Sequence, residues 1–178
     1  AKHIATEIAK LITEKKQRNE HCVIGLTNGK THVGIYNELV RLHKEEKLSF
    51  VNVIFVNLFE FYPLHKNLKG SLSKLNELLF KYIDVLPENI LSPNVSVDKS
   101  EIMEECKNYE RKIAELGGID FQILGIGRSG NIGINEPGSQ INSSTPLLLL
   151  DTLSRKDASE LFASIDLVPL SAITRGLG

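Results

Sequence analysis

Two kinds of apolar patterning alternate along the chain and define its expected elements. Apolar residues recur at helical spacing through residues 3–17, beginning with Ile4 and Ile8, which predicts an amphipathic helix. The same spacing predicts further helices over 35–46, 71–84, 100–116 and about 155–163. Short, mostly apolar runs, the first of them with β-branched residues, predict strands at 22–26, 51–59, 119–126, 146–150 and 171–174.

The order of these elements predicts the fold class. Strands that alternate with helices form βαβ units, and strands that are apolar throughout are typical of a parallel sheet covered on both faces. We therefore predict an α/β protein with a Rossmann-like, three-layer α/β/α arrangement and a mostly parallel sheet. Strands 22–26, about 52–58 and 119–126 are expected to be adjacent and central.

Polar and glycine-containing segments separate the elements. Ser71 and Ser100 stand where helix N-caps are expected. Gly117 and Gly118 follow the fourth helix as a stop signal. Segment 87–94, with the sequence PENILSPN, is predicted to be a loop.

Composition narrows the functional classes. The 178 residues suit one domain, 1–178, with a core of its own. The formal net charge is −1, and aromatic residues make up 6% without a tryptophan, which argues against nucleic acid as a partner. No stretch approaches a membrane span. Cys22 and Cys106 form no metal-binding pattern, so we expect buried thiols, no metal and a cytoplasmic location.

Ligands of parallel α/β sheets bind beyond the carboxyl ends of the strands. This rule selects loops 27–34, 58–66 and 125–139. The first passes from a strand through a polar turn into a helix, where backbone N–H groups of 28–31 could bind an anion. When that loop is taken alone, an ordinary βα turn with a threonine cap explains it better than a ligand site does.

The third loop, GIGRSGNIGINEPGS over 125–139, carries a more specific pattern. Its glycines allow positive φ or close approach of backbone to a ligand. Glu136 precedes a proline, which biases it to extended geometry, and Ser139 could hold a hydroxylated ligand. A glycine-rich connection in which Glu136 only caps a neighbouring segment is the alternative.

Several motifs in one order resemble those of the glucosamine-6-phosphate deaminase family. They include NLFEFYPL at 57–64, DFQILGIGRSGNIGINEPGS at 120–139 and SRKDA at 154–158, and the similarity covers almost the whole chain. Bacteroidetes-type deaminase-like sequences are the relatives expected. The Asn-Glu-Pro at 135–137 separates the deaminases from the related 6-phosphogluconolactonases. The resemblance implies conversion of glucosamine 6-phosphate and water to fructose 6-phosphate and ammonium, without a cofactor.

The resemblance also implies site residues. Glu136 is the glutamate expected to orient the residue at position 131. The family's ring-opening histidine falls on Asn131, and its base aspartate falls on Phe59. The expected substrate-binding residues are Asn28, Gly29, Lys30, Thr31, Glu60, Gly127, Arg128, Ser129, Gly130 and Ser139.

Phe59 and Asn131 leave three functional hypotheses open. The chain is a deaminase with strongly reduced turnover, a non-catalytic member of the fold that binds a sugar phosphate or a partner protein, or a lactonase-like hydrolase. Glu60 is not expected to replace the base, because adjacent side chains of a strand point to opposite sides. Relative to the family, the chain is expected to lack a C-terminal part. Assembly into a homo-oligomer is left open.

Overall fold

The computed structural model describes residues 1–140 and 143–176 of the chain. Within them lie the α-helices α1 (Lys2–Gln17), α2 (Val33–Glu46), α3 (Ser71–Leu78), α4 (Ile102–Glu115) and α5 (Thr152–Phe162). The strands are β1 (Cys22–Leu26), β2 (Val53–Asn57), β3 (Phe59–Tyr62), β4 (Ile90–Leu91), β5 (Phe121–Gln122), β6 (Leu147–Leu149) and β7 (Ser171–Thr174).

A parallel sheet in the order β4-β2-β1-β5 organises the structure, which confirms the predicted fold class. The three strands expected to be neighbours are adjacent and parallel, with Cys22 opposite Val53 and Ile24 opposite Phe121. β1 is central, whereas β5 forms an edge of the described sheet.

Alternating side chains of β1 and β2 enter two different helix layers. Ile24 and Phe55 pack with the core formed by α1, α2 and α3. Val23 and Val56 pack on the opposite face with Tyr109 and Ile113 of α4. The sheet is therefore buried on both faces, and this burial explains why its strands read as continuous apolar runs.

A second sheet, antiparallel in the order β3-β7-β6, was not predicted. The predicted strand 51–59 is two strands, because the chain leaves the parallel sheet after Asn57 and enters the small sheet at Phe59. The side chain of Leu58 covers Gly25 at this junction, where an added Cβ would lie 2.8 Å from its Cδ2. Phe61 and Phe162 then pack edge to face at 4.9 Å between this sheet and α5.

Other boundaries also differ from those predicted. Segment 87–94 is not only a loop, since β4 pairs with β2 there. The predicted strand 119–126 shortens to β5, and the helix predicted over 71–84 ends at Leu78 before a 3-10 turn. Neither predicted serine caps its helix: Ser71 is the first residue of α3, and the N-cap of α4 is Glu101.

Two further properties of the described residues bear on function. None of the helices in the described part of the chain is long and apolar enough to cross a membrane. Cys22 and Cys106 are buried free thiols, and burial raises the pKa of Cys22 to about 12. A thiol with so high a pKa is a poor nucleophile at neutral pH.

Candidate functional site

An open cleft of about 1110 Å³ lies beyond the carboxyl end of β1. The loop after β1, the aromatic residues of β3, the loop after β5 and helix α5 form its walls. Of the sequence-predicted site residues, those lining this cleft are Asn28, Gly29, Lys30, Thr31, Phe59, Gly127, Arg128 and Asn131. The structure therefore brings three separate segments of the chain to one cavity.

The loop after β1 presents its backbone to the cleft. A 3-10 turn at Lys30–His32 leads directly into α2, and the His32 N–H donates to the Gly29 carbonyl at 3.0 Å. Within the described residues, the N–H groups of 28–31 have no recorded acceptor. Free N–H groups ahead of a helix are an arrangement that binds anions.

Two ion pairs join the loops to α5 across the mouth of the cleft. The Lys30 ammonium contacts Glu160 Oε1 at 2.6 Å, and both side chains are exposed. The Arg128 guanidinium pairs with both carboxylate oxygens of Asp157, and this hydrogen bonding raises the pKa of Arg128. Lys30 and Arg128, the two cationic residues predicted to bind substrate, are therefore both paired with carboxylates of α5.

Asn131 sits in a tight turn whose geometry depends on Gly127. The Gly127 N–H donates to the Asn131 carbonyl at 2.9 Å, and an added Cβ at Gly127 would lie 2.0 Å from Asn131 Oδ1. The Asn131 amide nitrogen donates to the Gly133 carbonyl at 2.8 Å. Any larger side chain at position 127 would displace Asn131.

Ser129 stands between Asn131 and Glu136. Its hydroxyl donates to Asn131 Oδ1 at 2.8 Å and lies 3.4 Å from Glu136 Oε2. Glu136 Oε1 accepts the N–H of Asp151 at 3.2 Å, at the start of α5. The expected pairing of Glu136 with residue 131 is therefore bridged by a hydroxyl, and Glu136 also ties the loop to α5.

Phe59 and Glu60 point to different places, as alternation along a strand requires. Phe59 lines the cleft and packs edge to face on Phe61 at 5.5 Å. The Glu60 carboxylate is buried and accepts the N–H groups of Ser71 at 2.7 Å and Leu72 at 2.8 Å. Glu60 thus caps α3 and does not line the cleft.

Three further predicted residues lie near the cleft without lining it. Ser129 and Gly130 belong to the turn behind Asn131, where Gly130 has φ of 85°. The Ser139 N–H donates to the Glu136 carbonyl at 3.0 Å, and Ser139 is not among the residues that line the cleft. In residues 1–140 and 143–176, no group of His, Cys, Asp and Glu side chains is arranged to hold a metal.

Two features of the cleft, His32 and helix α5, are not among the residues predicted from the sequence. His32 is buried in the wall of the cleft, and its Nδ1 lies 2.9 Å from Thr27 Oγ1. Helix α5 forms one whole wall and supplies Asp157 and Glu160. No signal in the sequence pattern places Asp157 and Glu160 opposite Arg128 and Lys30, because the pairs are far apart along the chain.

Comparisons with known proteins connect the chain to sugar-phosphate enzymes. The family model described as glucosamine-6-phosphate isomerases/6-phosphogluconolactonase matches residues 1–133. A glucosamine-6-phosphate deaminase-like protein of Bacteroides thetaiotaomicron is 46% identical over 99% of this chain, which spans 27% of that protein. Glucosamine-6-phosphate deaminase 1 of Bacillus subtilis is 38% identical over 95% of this chain and is covered over 69% of its length.

Solved structures agree with this relationship. A monomeric glucosamine-6-phosphate deaminase superposes with a TM-score of 0.89 at 39% identity, over 97% of this chain and 70% of its own. A 6-phosphogluconolactonase from Thermotoga maritima gives a TM-score of 0.70 at 18% identity, over 98% of this chain and 72% of its own. The second similarity shows the fold alone.

Proposed function

The chain belongs to the glucosamine-6-phosphate isomerase/6-phosphogluconolactonase family, and we propose that its cleft binds a sugar phosphate while its deaminase turnover is strongly reduced. The ligand class is glucosamine 6-phosphate or its product fructose 6-phosphate. One observation carries the proposal: the cleft has a turn with free N–H groups at 28–31, but Phe59 and Asn131 where the family resemblance expects a base and a ring-opening histidine.

The turn at 28–31 supports the phosphate part of the proposal. Its free N–H groups and the following helix favour a dianionic group, and Lys30 stands beside them. The Lys30 ammonium is paired with the Glu160 carboxylate, so a bound phosphate would compete with Glu160 for that ammonium. An exposed pair of this kind contributes only about 0–1 kcal/mol, so a dianion can displace it.

The chemistry of Phe59 and Asn131 supports reduced turnover. A phenyl ring cannot accept the proton that must leave the sugar carbon, and an amide cannot shuttle protons at neutral pH. A positioned general base contributes about 10²–10⁴-fold in rate, which corresponds to about 3–5 kcal/mol of transition-state stabilisation. Both losses affect one pathway, so their effects need not add.

Ammonia release and calorimetric binding, measured on the same preparations, test the two halves of the proposal separately. Wild type should bind glucosamine 6-phosphate yet release ammonia slowly, and a Phe59→Asp, Asn131→His double variant should release it faster. A Phe59→Asp, Ile132→His variant is the matched control, because Ile132 is a partly exposed neighbour that does not line the cleft.

Each half has its own contrary result. Rapid ammonia release by the wild-type chain would refute the proposal that Phe59 and Asn131 remove the catalytic base and the ring-opening histidine. Failure of both glucosamine 6-phosphate and fructose 6-phosphate to bind would refute the assignment of the cleft as a sugar-phosphate site.

A further inference from the structure

The imidazole of His32 has one engaged nitrogen and one without a protein partner. The residue is 4% exposed and lines the cleft. Its Nδ1 lies 2.9 Å from Thr27 Oγ1 and 3.4 Å from the Thr27 carbonyl oxygen. Within the described residues, Nε2 has no recorded hydrogen bond. A ring nitrogen that lines an open cleft and has no protein partner is available to a ligand.

Two glycines leave this ring edge uncovered. A Cβ added at Gly29 would lie 3.2 Å from His32 Cε1, and one added at Gly125 would lie 3.5 Å from Nε2. These glycines belong to the two loops that form the cleft. A side chain at Gly29 would crowd the ring, and one at Gly125 would come into van der Waals contact with Nε2, so the two glycines leave this edge of the ring facing the cavity.

The surroundings of Nδ1 determine what Nε2 can do. The Thr27 carbonyl can only accept hydrogen bonds, and it already accepts one from the Tyr36 hydroxyl. With its proton on Nδ1, the ring can donate to either Thr27 oxygen, including the carbonyl, which cannot donate in return. In this tautomer Nε2 presents its lone pair to the cleft, as a hydrogen-bond acceptor.

We propose that His32 Nε2 accepts a hydrogen bond from a hydroxyl group of the sugar phosphate bound in the cleft. This inference rests on the proposed function and adds to it a residue that selects the sugar rather than the phosphate. The phosphate would contact the turn at 28–31, while His32 would bind a sugar hydroxyl from the wall of the cleft between Gly29 and Gly125.

Two isosteric substitutions separate the roles of the two nitrogens. Asparagine places its amide where Nδ1 lies, so His32→Asn keeps the Thr27 contact and removes the Nε2 acceptor. Glutamine reaches the position of Nε2, so His32→Gln keeps an acceptor there and loses the Thr27 contact. A neutral hydrogen bond is worth a factor of about 3–10, so we expect His32→Asn to weaken fructose 6-phosphate binding by that factor.

The expected pattern has three parts. Calorimetry should show His32→Gln binding fructose 6-phosphate more tightly than His32→Asn. Inorganic phosphate, followed by NMR titration, should bind both variants as it binds wild type. On wild type, the ¹⁵N resonance of His32 Nε2 should move with fructose 6-phosphate and stay in place with inorganic phosphate, a readout that does not depend on the folding of any variant.

Contrary results are distinguishable from failure of the proposed function. If wild type binds fructose 6-phosphate but the Nε2 resonance does not move, or if His32→Asn binds as tightly as wild type, this inference is wrong and the proposed function stands. If both variants lose sugar phosphate and inorganic phosphate alike, His32 is structural and the inference is wrong. If wild type binds no sugar phosphate, both are wrong.

Discussion

Replacing Glu60 with glutamine should destabilise the protein even though Glu60 does not line the cleft. The carboxylate is 3% exposed. Its Oε1 accepts the N–H groups of Phe61 at 3.0 Å and Ser71 at 2.7 Å, while Oε2 accepts that of Leu72 at 2.8 Å. Three backbone donors, two of them at the start of α3, therefore depend on one side chain from β3.

The magnitude follows from what an amide can replace. The glutamine oxygen can accept the two hydrogen bonds that Oε1 accepts. Its NH₂ group, however, would face the Leu72 N–H, and two donors cannot form a hydrogen bond with each other. Protonated Glu60 avoids this conflict, because its hydroxyl oxygen can still accept the hydrogen bond from the Leu72 N–H. One buried donor left without an acceptor costs about 1–3 kcal/mol. For a chain of this size, that loss lowers the unfolding midpoint by about 2–12 °C.

Thermal and urea unfolding, followed by circular dichroism at neutral pH, measure this loss. Glu7→Gln is the matched control, because Glu7 is exposed on α1 and its replacement should change stability by less than about 0.5 kcal/mol. Gly70→Ala should reproduce the Glu60→Gln loss, since an added Cβ would lie 2.1 Å from Glu60 Oε1. The two losses should not add, because they break one contact. Identical unfolding of wild type and Glu60→Gln would refute the capping role.

Three further predictions concern neighbouring contacts. Gly127→Ala should displace Asn131 and weaken sugar-phosphate binding in calorimetry, and unchanged affinity would contradict the close approach of 2.0 Å. Tyr109→Phe should cost about 1–3 kcal/mol in urea unfolding, because the Tyr109 hydroxyl donates to the buried Asn57 carbonyl at 2.6 Å; an unchanged midpoint would contradict this. Burial raises the folded-state pKa of Glu60 above 4.5, opposed by its backbone donors. The stabilisation that Glu60 contributes is therefore complete below its unfolded-state pKa and declines as pH rises through its folded-state pKa. The loss of unfolding free energy in Glu60→Gln should accordingly be larger near about pH 4 than near about pH 7. A loss that grows with pH would contradict this direction.

The candidate site was predictable to the extent that it lies on loops following strands. The rule that ligands bind at carboxyl ends of parallel strands pointed to 27–34 and 125–139, and both loops line the cleft. The same reasoning could not assign Glu60, because its position beside the N-terminus of α3 depends on the path of the chain between residues 62 and 70. His32 could not be assigned from the sequence either, because its burial and the two glycines beside its ring depend on contacts between different segments.

Local patterning determined which segments became helices and central strands. Spacing of 3.6 and continuous apolar runs are properties of adjacent residues, so α1, α2, β1 and β7 could be recognised from the sequence. Tertiary contacts decided the rest. The two residues of β4 form a strand only because β2 lies beside them, and the chain changes sheets at Leu58 because Gly25 leaves room for that side chain. Pairing partners, helix caps and a shared cavity depend on residues distant in the sequence, and a one-dimensional pattern does not record their separation in space.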